Sequence, residues 1–343
     1  MNLRQVRGIM GVSRKNALCT SSLASSSYVR TDLIEGYSNS DGNLRVFLKL
    51  ETQQASGSFK DRGLFHLVKS SMSKESTPVK MLISSSGGNA GNAVATVGQQ
   101  LDIPTQVFVP RSTMDLMIAK IKSKGADVTI VGENWNEADQ EARKAMNNHP
   151  AALYCPPFDH PLIWEGASSI INEIGMQLNK YQEQDFPDAI ILSVGGGGLL
   201  RGVQLGLERH GHTRTKIIAV ETQGAASFAI APKRLHAINS IATSLGSLYV
   251  VPSTLESHIN TISMVVSDTE AVEACYKYAE EYRTLVEPAC GAALAALSPH
   301  REAELLDMGI KSAVVIVCGG SAVSIDLLQD YKRRAALAEE GAM

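Results

Sequence analysis

Short apolar runs alternate along most of the chain with segments whose apolar residues recur at helical spacing. Runs such as 189–194 and 313–318 are rich in isoleucine and valine throughout, which is typical of parallel strands buried on both faces. Segments such as 135–147 place apolar residues three and four positions apart, as an amphipathic helix does. This alternation predicts an α/β fold with parallel sheets and crossover helices.

The pattern also gives approximate bounds for the individual elements. The predicted strands are 46–50, 80–84, 105–109, 127–131, 152–155, 189–194, 216–220, 264–267 and 313–318. The predicted helices are 59–71, 89–101, 114–124, 135–147, 162–178, 199–209, 269–282 and 289–297. Open parallel sheets bind ligands at the carboxyl ends of their strands. The residues that follow each predicted strand are therefore the first candidates for a functional site.

A lysine stands in one of these places. The segment Ser56–Gly63 reads SGSFKDRG, with polar residues before Lys60 and a helical pattern after it. An amine at such a helix start can point into a cleft, and a desolvated lysine forms Schiff bases readily because its pKa falls easily. An exposed surface lysine is the alternative interpretation of this motif.

Four consecutive glycines, Gly195 to Gly198, lie between strand 189–194 and the predicted helix that begins at Leu199. Because glycine has no Cβ and tolerates positive φ, successive N–H groups there can curl around an anion. The helix N-terminus adds its dipole at the same point. We interpret the tetraglycine as a phosphate site; a tight strand-to-helix turn without a ligand is the alternative.

A dinucleotide-binding fold is a competing interpretation of the same glycines. Gly195 and Gly197 follow a strand, and Glu221 ends the next strand, as the ribose-binding acid of that fold does. The third glycine of the fingerprint would fall at Leu200, however, and the interpretation gives no role to Lys60. A dehydrogenase is therefore a distant alternative.

Composition narrows the functional classes. The chain has 343 residues, 44% of them hydrophobic, and a net charge of −3, so it lacks the basic footprint of a nucleic-acid-binding protein. No apolar stretch is long enough to span a membrane. The five cysteines show no CxxC spacing, which favours a reducing compartment over a disulfide framework or a zinc site.

The N-terminal segment has a composition of its own. No acidic residue precedes Asp32, whereas arginines and serines are frequent, which is typical of mitochondrial transit peptides. A disordered arm is the alternative. We expect a cytoplasmic protein, with the mitochondrial matrix as the other candidate compartment.

Taken together, Ser56–Gly63, Ser84–Asn92 (SSSGGNAGN), Gly195–Leu199 and Cys318–Ser321 (CGGS) resemble the motifs of the fold-type II pyridoxal-phosphate enzymes, whose fold is tryptophan synthase beta-like. The match is most similar to the serine and threonine dehydratases and extends over about residues 28–330. It implies two parallel-sheet α/β domains with the cofactor, pyridoxal phosphate (PLP), in the cleft between them. The expected division is an N-terminal extension at 1–27, a large PLP-binding domain at 28–63 and 158–330, a small domain at 64–157 and a C-terminal tail at 331–343.

The resemblance also implies roles for individual residues. Lys60 is expected to carry the cofactor and act as the base, with Ser86 as the second catalytic residue. The implied cofactor-binding residues are Phe59, Lys60, Asn89, Gly195, Gly196, Gly197, Gly198, Leu199, Glu287 and Cys318. The substrate carboxylate is expected at Ser86, Gly87, Gly88, Asn89 and Ala90, and a monovalent cation such as K⁺ at Gly195, Glu221, Ala225, Ser227, Leu245 and Ser247. The simpler alternatives are N-capping by Ser86, a structural role for Cys318 and a helix-capping charge at Glu221.

By this resemblance the chain is a homodimeric L-serine/L-threonine ammonia-lyase acting on small amino acids. A serine racemase or a cysteine synthase shares the scaffold, and a phosphate-binding regulator without catalysis is a further alternative that the retained Lys60 argues against. Racemases of this fold carry a serine hydroxyl at the position of Gly87, as a proton donor opposite Lys60. Gly87 therefore favours elimination, and Gly87→Ser is expected to introduce some racemisation.

Overall fold

A computed structural model describes residues 28–37, 43–74, 78–183 and 185–340. The predicted N-terminal extension, with its targeting composition, lies outside the described residues. Within the described part of the chain, no helix is both long and apolar enough to cross a membrane.

Strands and helices alternate as the sequence pattern predicts. The strands are β1 (Leu33–Glu35), β2 (Arg45–Leu50), β3 (Met81–Ser84), β4 (Thr105–Val109), β5 (Asp127–Ile130), β6 (Ala152–Tyr154), β7 (Ala189–Ser193), β8 (Lys216–Thr222), β9 (Thr261–Val266) and β10 (Ser312–Val317). The helices are α1 (Lys60–Lys74), α2 (Asn89–Leu101), α3 (Asp115–Ser123), α4 (Trp135–Asn147), α5 (Pro161–Leu178), α6 (Gly198–His210), α7 (Asp268–Tyr282), α8 (Pro288–Ala295), α9 (Pro299–Asp307) and α10 (Ile325–Glu340).

The strands form two sheets. The six-stranded sheet has the order β1-β2-β10-β7-β8-β9 and the four-stranded sheet has the order β5-β4-β3-β6. We call the four-stranded sheet with α2, α3 and α4 the small unit, and the six-stranded sheet with its helices the large unit. The predicted domain boundaries at residues 64 and 157 stay a prediction, with which this grouping of strands agrees.

One strand pair departs from the expected parallel arrangement. β1 runs antiparallel to β2, with Leu33 opposite Lys49, whereas the other strand pairs in both sheets are parallel. The segment 36–44 between β1 and β2 is too short for the crossover of about a dozen residues that a parallel pair requires. A short antiparallel edge strand is therefore the connection that the chain length allows.

The sequence pattern missed three elements and displaced a fourth. β1, α9 and α10 were not predicted, and β9 begins at Thr261, three residues before the predicted start. Helix α10 buries Leu328, Tyr331 and Ala335, whose spacings of three and four residues are those of one helix face. That helix continues through residue 331, at which the C-terminal tail was expected to begin.

Candidate active site

Lys60 is the first residue of α1, and its amine lies at the boundary between the two units. Its Nζ donates a hydrogen bond to Pro157 O at 2.9 Å and lies 5.0 Å from the centroid of the Phe59 ring. Burial lowers the pKa of Lys60 to about 8, although the nearby Cys318 and Glu287 act in the opposite direction. A substantial fraction of this amine is therefore neutral, and nucleophilic, near physiological pH.

A buried ionic cluster fixes the first turn of α1. The Arg62 guanidinium is fully buried and donates to the carboxylates of Glu51 and Glu173, with Nε–Oε2 and Nη1–Oε1 distances of 2.7 and 2.8 Å. The Lys49 amine also pairs with Glu173, at 2.6 Å. Charge-assisted bonds of this kind have defined geometry, so the backbone that carries Lys60 is held in one place.

The tetraglycine loop presents unpaired donors at the start of α6. Among the described residues, the N–H groups from Gly195 to Leu199 donate to no protein acceptor, although Gly197, Gly198 and Leu199 are buried. Gly197 has φ of +87°, a conformation that glycine adopts at little cost. Buried N–H groups almost always have a partner. The loop therefore has the structure expected of an anion site.

A second set of donors lies at the start of α2. The N–H groups of Gly87, Asn89 and Ala90 have no acceptor in the described part of the chain, and Ser86 Oγ accepts from Gly88 N at 3.3 Å. Gly88 is the N-cap of the helix, without a side chain to cap it. A carboxylate placed there would receive these bonds together with the favourable end of the helix dipole.

A network of polar side chains anchors the loop from behind. Ser85 Oγ donates to Asp139 Oδ1 at 2.8 Å, and the Tyr154 hydroxyl donates to the same oxygen. Arg143 Nε donates to Asp139 Oδ2 at 2.8 Å. Burial alone would raise the pKa of Asp139, but these hydrogen bonds outweigh it and hold that pKa below its usual range. The carboxylate is thus ionised and fixes the residue that precedes Ser86.

Asn89 and Glu287 bring the two units together at the centre of the site. Asn89 Nδ2 donates to Glu287 Oε1 at 2.9 Å and to Ser244 Oγ at 3.3 Å. Glu287 also accepts from Ala322 N at 2.6 Å, next to the CGGS motif. Gly320 has φ of +121°, and a Cβ there would come within 2.4 Å of Glu287 Cδ, so a larger residue would strain the turn and displace the Glu287 side chain.

Cys318 directly follows β10 of the large sheet and is 8% exposed. Its backbone oxygen accepts from Phe59 N at 3.2 Å, and its thiol is near enough to the Lys60 amine for the two groups to interact electrostatically. Contact with Cys290, burial and the charge of Glu287 together raise the pKa of Cys318 well above its usual range. The group is therefore a neutral thiol, a weak hydrogen-bond partner rather than an anion.

These residues fit PLP. The unpaired N–H groups of Gly195–Leu199 suit its phosphate, the Lys60 amine suits its aldehyde, and the neutral Cys318 thiol suits a pyridine nitrogen that is not held protonated. The predicted substrate residues Ser86–Ala90 lie on the small unit, and Asn89 bonds to Glu287 across the boundary. The structure therefore brings the predicted cofactor and substrate residues to one cleft.

The residues predicted to bind a cation also lie close together. Both Glu221 carboxylate oxygens accept backbone N–H groups, from Phe228 at 2.7 Å and Ala229 at 2.9 Å. Ser227 Oγ donates to Gly195 O at 3.0 Å. Burial raises the pKa of Glu221 to about 7, against the opposing effect of these hydrogen bonds. Three other residues are predicted ligands. Ala225 is buried and precedes Ser227 by two residues, and the Leu245 backbone packs against Gly195. Ser247 N donates to Leu245 O at 2.7 Å.

Sequence reasoning missed two cleft residues of the small unit, Thr113 and Lys120. A Cβ on Gly87 would lie 2.5 Å from Thr113 Oγ1 and 2.7 Å from its Cγ2, so the Thr113 side chain occupies the space that a residue 87 side chain would need. Thr113 follows β4, and the carboxyl end of a parallel strand was the available signal. The expectation for Gly87→Ser changes accordingly, because a serine there requires Thr113 to move.

Comparison with known proteins agrees with this site. Residues 25–319 match the family described as pyridoxal-phosphate dependent enzyme. The chain is 44% identical over 299 residues to the L-serine dehydratase/L-threonine deaminase of Mus musculus, covering 84% of this chain and 89% of that protein. It is 40% identical over 315 residues to a serine dehydratase-like protein of the same organism, covering 88% and 93%.

A solved structure extends the similarity to the fold. The L-serine ammonia-lyase of the fungus Rhizomucor miehei superposes with a TM-score of 0.82 at 34% identity, over 90% of this chain and 99% of that one. The fold-type II assignment and the resemblance to the serine and threonine dehydratases are confirmed. The chain belongs to the family of pyridoxal-phosphate-dependent enzymes.

Proposed function

We propose that this protein is an L-serine/L-threonine ammonia-lyase that catalyses α,β-elimination. The observation that carries the proposal is the Lys60 amine, with its pKa lowered to about 8 between an unpaired N–H cradle and a neutral thiol. The named relatives act on serine and threonine, which supports the substrate class. The dehydrogenase interpretation gives no role to the desolvated amine of Lys60.

The residues divide the work of binding the cofactor. Gly195–Leu199 would hold the phosphate, the Lys60 amine would bind the aldehyde, and Phe59 and Cys318 would contact the ring. Asn89 and Glu287, which are hydrogen-bonded to each other, would complete the cofactor site on the side of the small unit. When bound, PLP supplies an electron sink for negative charge at the substrate Cα.

The remaining steps belong to the chain and the substrate. The N–H groups of Gly87, Asn89 and Ala90 would orient the substrate carboxylate. Once the substrate amine has displaced Lys60 from the cofactor, the free Lys60 Nζ would remove the Cα proton. The β-hydroxyl of L-serine leaves and takes up one proton to become water, which balances the proton that Lys60 removed from Cα. The released enamine tautomerises to the imine, and water hydrolyses the imine to pyruvate and ammonium. L-threonine gives 2-oxobutanoate and ammonium by the same route.

We expect PLP-loaded protein to form pyruvate from L-serine, and D-serine in negligible amount. Gly87 itself offers no side-chain proton donor for reprotonation of the substrate Cα from the second face. The hydroxyl of Thr113, which lies next to Gly87, would have to supply that proton. Coupled assays of pyruvate and chiral chromatography of serine measure both products in one incubation. Comparable amounts of D-serine and pyruvate would instead identify a racemase.

We further propose that K⁺ binds among Glu221, the Gly195 and Leu245 carbonyls and Ser227. A buried carboxylate beside carbonyl oxygens supplies the ligands that hard cations prefer, and a cation there would brace the tetraglycine loop through Gly195. Ala225 and Ser247 are the remaining proposed ligands. Homodimer formation and the compartment stay predictions from the sequence.

Elimination activity is expected to be several-fold higher in KCl than in tetramethylammonium chloride at equal ionic strength. Glu221→Gln removes the charge and leaves one acceptor oxygen where the carboxylate has two for the Phe228 and Ala229 N–H groups, so it should blunt this response. The exposed Glu256 provides the control, Glu256→Gln. Equal activity of the unmodified protein in both salts would contradict the proposal that K⁺ binds at this site.

A further inference from the structure

The backbone N–H, the backbone carbonyl and the hydroxyl of Ser321 each form a hydrogen bond with the small unit. Its N–H donates to Asn89 Oδ1 at 2.8 Å, and its Oγ accepts from Asn92 Nδ2 at 3.0 Å. The same hydroxyl donates to Ser56 O at 2.7 Å, and the Ser321 carbonyl accepts from Lys120 Nζ. Three of these four bonds come from α2 and α3 of the small unit. We call Ser321, Asn89, Asn92 and Lys120 the interdomain clasp.

Lys120 is the charged member of the clasp. It lies on α3, half-buried, and among the hydrogen bonds of the described residues its bond to Ser321 O is the one that joins α3 to the large unit. No carboxylate lies within ion-pair distance of its amine in the described part of the chain. Burial lowers its pKa, while the more distant Glu287 acts to raise it. The hydrogen-bond partner of the Lys120 amine is therefore a backbone carbonyl, that of Ser321, and not a carboxylate.

The clasp also orients Asn89. Because Ser321 N–H donates to Oδ1, the amide group must turn its Nδ2 toward Glu287 and the centre of the site. Asn89 is both a proposed cofactor neighbour and the first residue of the helix that receives the substrate carboxylate. Any movement of α2 or α3 away from Ser321 would displace both functions together.

We propose that Lys120 is a positioning residue that holds the small unit closed over the active site through the Ser321 carbonyl. It touches neither the proposed phosphate cradle nor Lys60, and it acts through Asn89 and the Ser86–Ala90 loop. The kinetic part of this inference rests on the proposed elimination activity; the structural part does not.

A clasp has a kinetic signature that differs from that of a catalytic group. If only the closed arrangement binds substrate, the apparent affinity equals the intrinsic affinity multiplied by the fraction of molecules that are closed. Saturating substrate restores the closed form, so KM should rise while kcat changes little. A residue that takes part in the chemistry would instead lower kcat.

Lys120→Met in the PLP-loaded full chain tests this proposal. We expect KM for L-serine to rise about tenfold with kcat within about twofold of the unmodified value. Amide hydrogen exchange in peptides covering 86–101 and 111–124 should be about tenfold faster without substrate. Lys120→Arg keeps a charged donor and should restore both quantities, and Lys120→Gln serves as a polar variant that lacks the charge. Lys122→Met, an exposed lysine on the same helix, is the matched control.

The two readouts separate this inference from the proposed function. If the unmodified protein forms no pyruvate, the proposed activity fails while the exchange comparison still tests the clasp. Exchange rates in Lys120→Met and Lys120→Gln equal to those of Lys122→Met would overturn it. A loss of kcat without a change in KM would overturn it as well, because that result assigns Lys120 to the chemistry.

Discussion

Lys60→Ala is expected to lower kcat for pyruvate formation from L-serine by at least about 10³-fold. The substitution removes the proposed covalent anchor of the cofactor and the proposed general base together, and a positioned base alone contributes about 10²–10⁴-fold. Steady-state assays with saturating PLP measure the loss. Lys69→Ala changes an exposed lysine of the same helix and should leave activity unchanged.

A chemical readout identifies the lysine independently of turnover. Borohydride reduction of PLP-loaded protein should yield one phosphopyridoxyl peptide containing Lys60. Because the pKa of Lys60 is lowered to about 8, attachment of the aldehyde to PLP-free protein should become faster as the pH rises through 8 and the amine loses its proton. Recovery of the label on Lys120, the other cleft lysine, would sink the assignment of Lys60.

The positions of the ligand-binding loops could be predicted from the sequence because each loop directly follows a strand. The register of a parallel sheet brings the carboxyl ends of its strands to one edge, so Lys60, the tetraglycine loop and Cys318 were predicted to meet. Strand and helix bounds followed from periodicity to within a few residues for most elements. The antiparallel β1 was missed because a three-residue strand carries almost no periodic signal.

The residues that join the two units could not be predicted in the same way. Lys120 is one of several lysines in a helical segment, and only the packing of α3 against the CGGS turn distinguishes it from Lys122. The contact between Gly87 and Thr113 likewise joins two loops that are distant in sequence. Such pairings depend on how the two sheets meet, and no local pattern in the sequence indicates that arrangement.

The buried ionic cluster shows a related limit. Arg62 follows Lys60 by two residues, yet its partners Glu51 and Glu173 lie in different elements of the large unit. A charged residue in a helical pattern is ordinarily solvent-exposed. The full burial of Arg62 therefore depends on tertiary contacts, and its ion pairs with Glu51 and Glu173 attach the first turn of α1 to the large unit.

Gly196→Val is expected to weaken PLP binding by about 100-fold or more. A Cβ at this position would lie 2.5 Å from the Phe158 ring, so the loop must shift, and losing one or two charge-assisted bonds to phosphate costs about 1.5–3 kcal/mol each. Phe158 follows Pro157, whose carbonyl accepts from Lys60, so the same shift also disturbs the anchor lysine. Titration of PLP-free protein, followed by absorbance or quenching of intrinsic fluorescence, measures the affinity.

The control for this prediction is a glycine that has room for a side chain. A Cβ on Gly175 of α5 would have its nearest neighbour, Phe186, at 3.9 Å, so Gly175→Ala should leave PLP affinity unchanged. If the Gly196→Val protein binds PLP as tightly as the Gly175→Ala protein does, the tetraglycine loop is not the phosphate site. Tight NADH binding by the unmodified protein, lost in Gly196→Val, would assign the loop to a dinucleotide instead. If Gly196→Val weakens PLP binding and the unmodified protein does not bind NADH, the result supports the phosphate of PLP as the ligand of Gly195–Leu199.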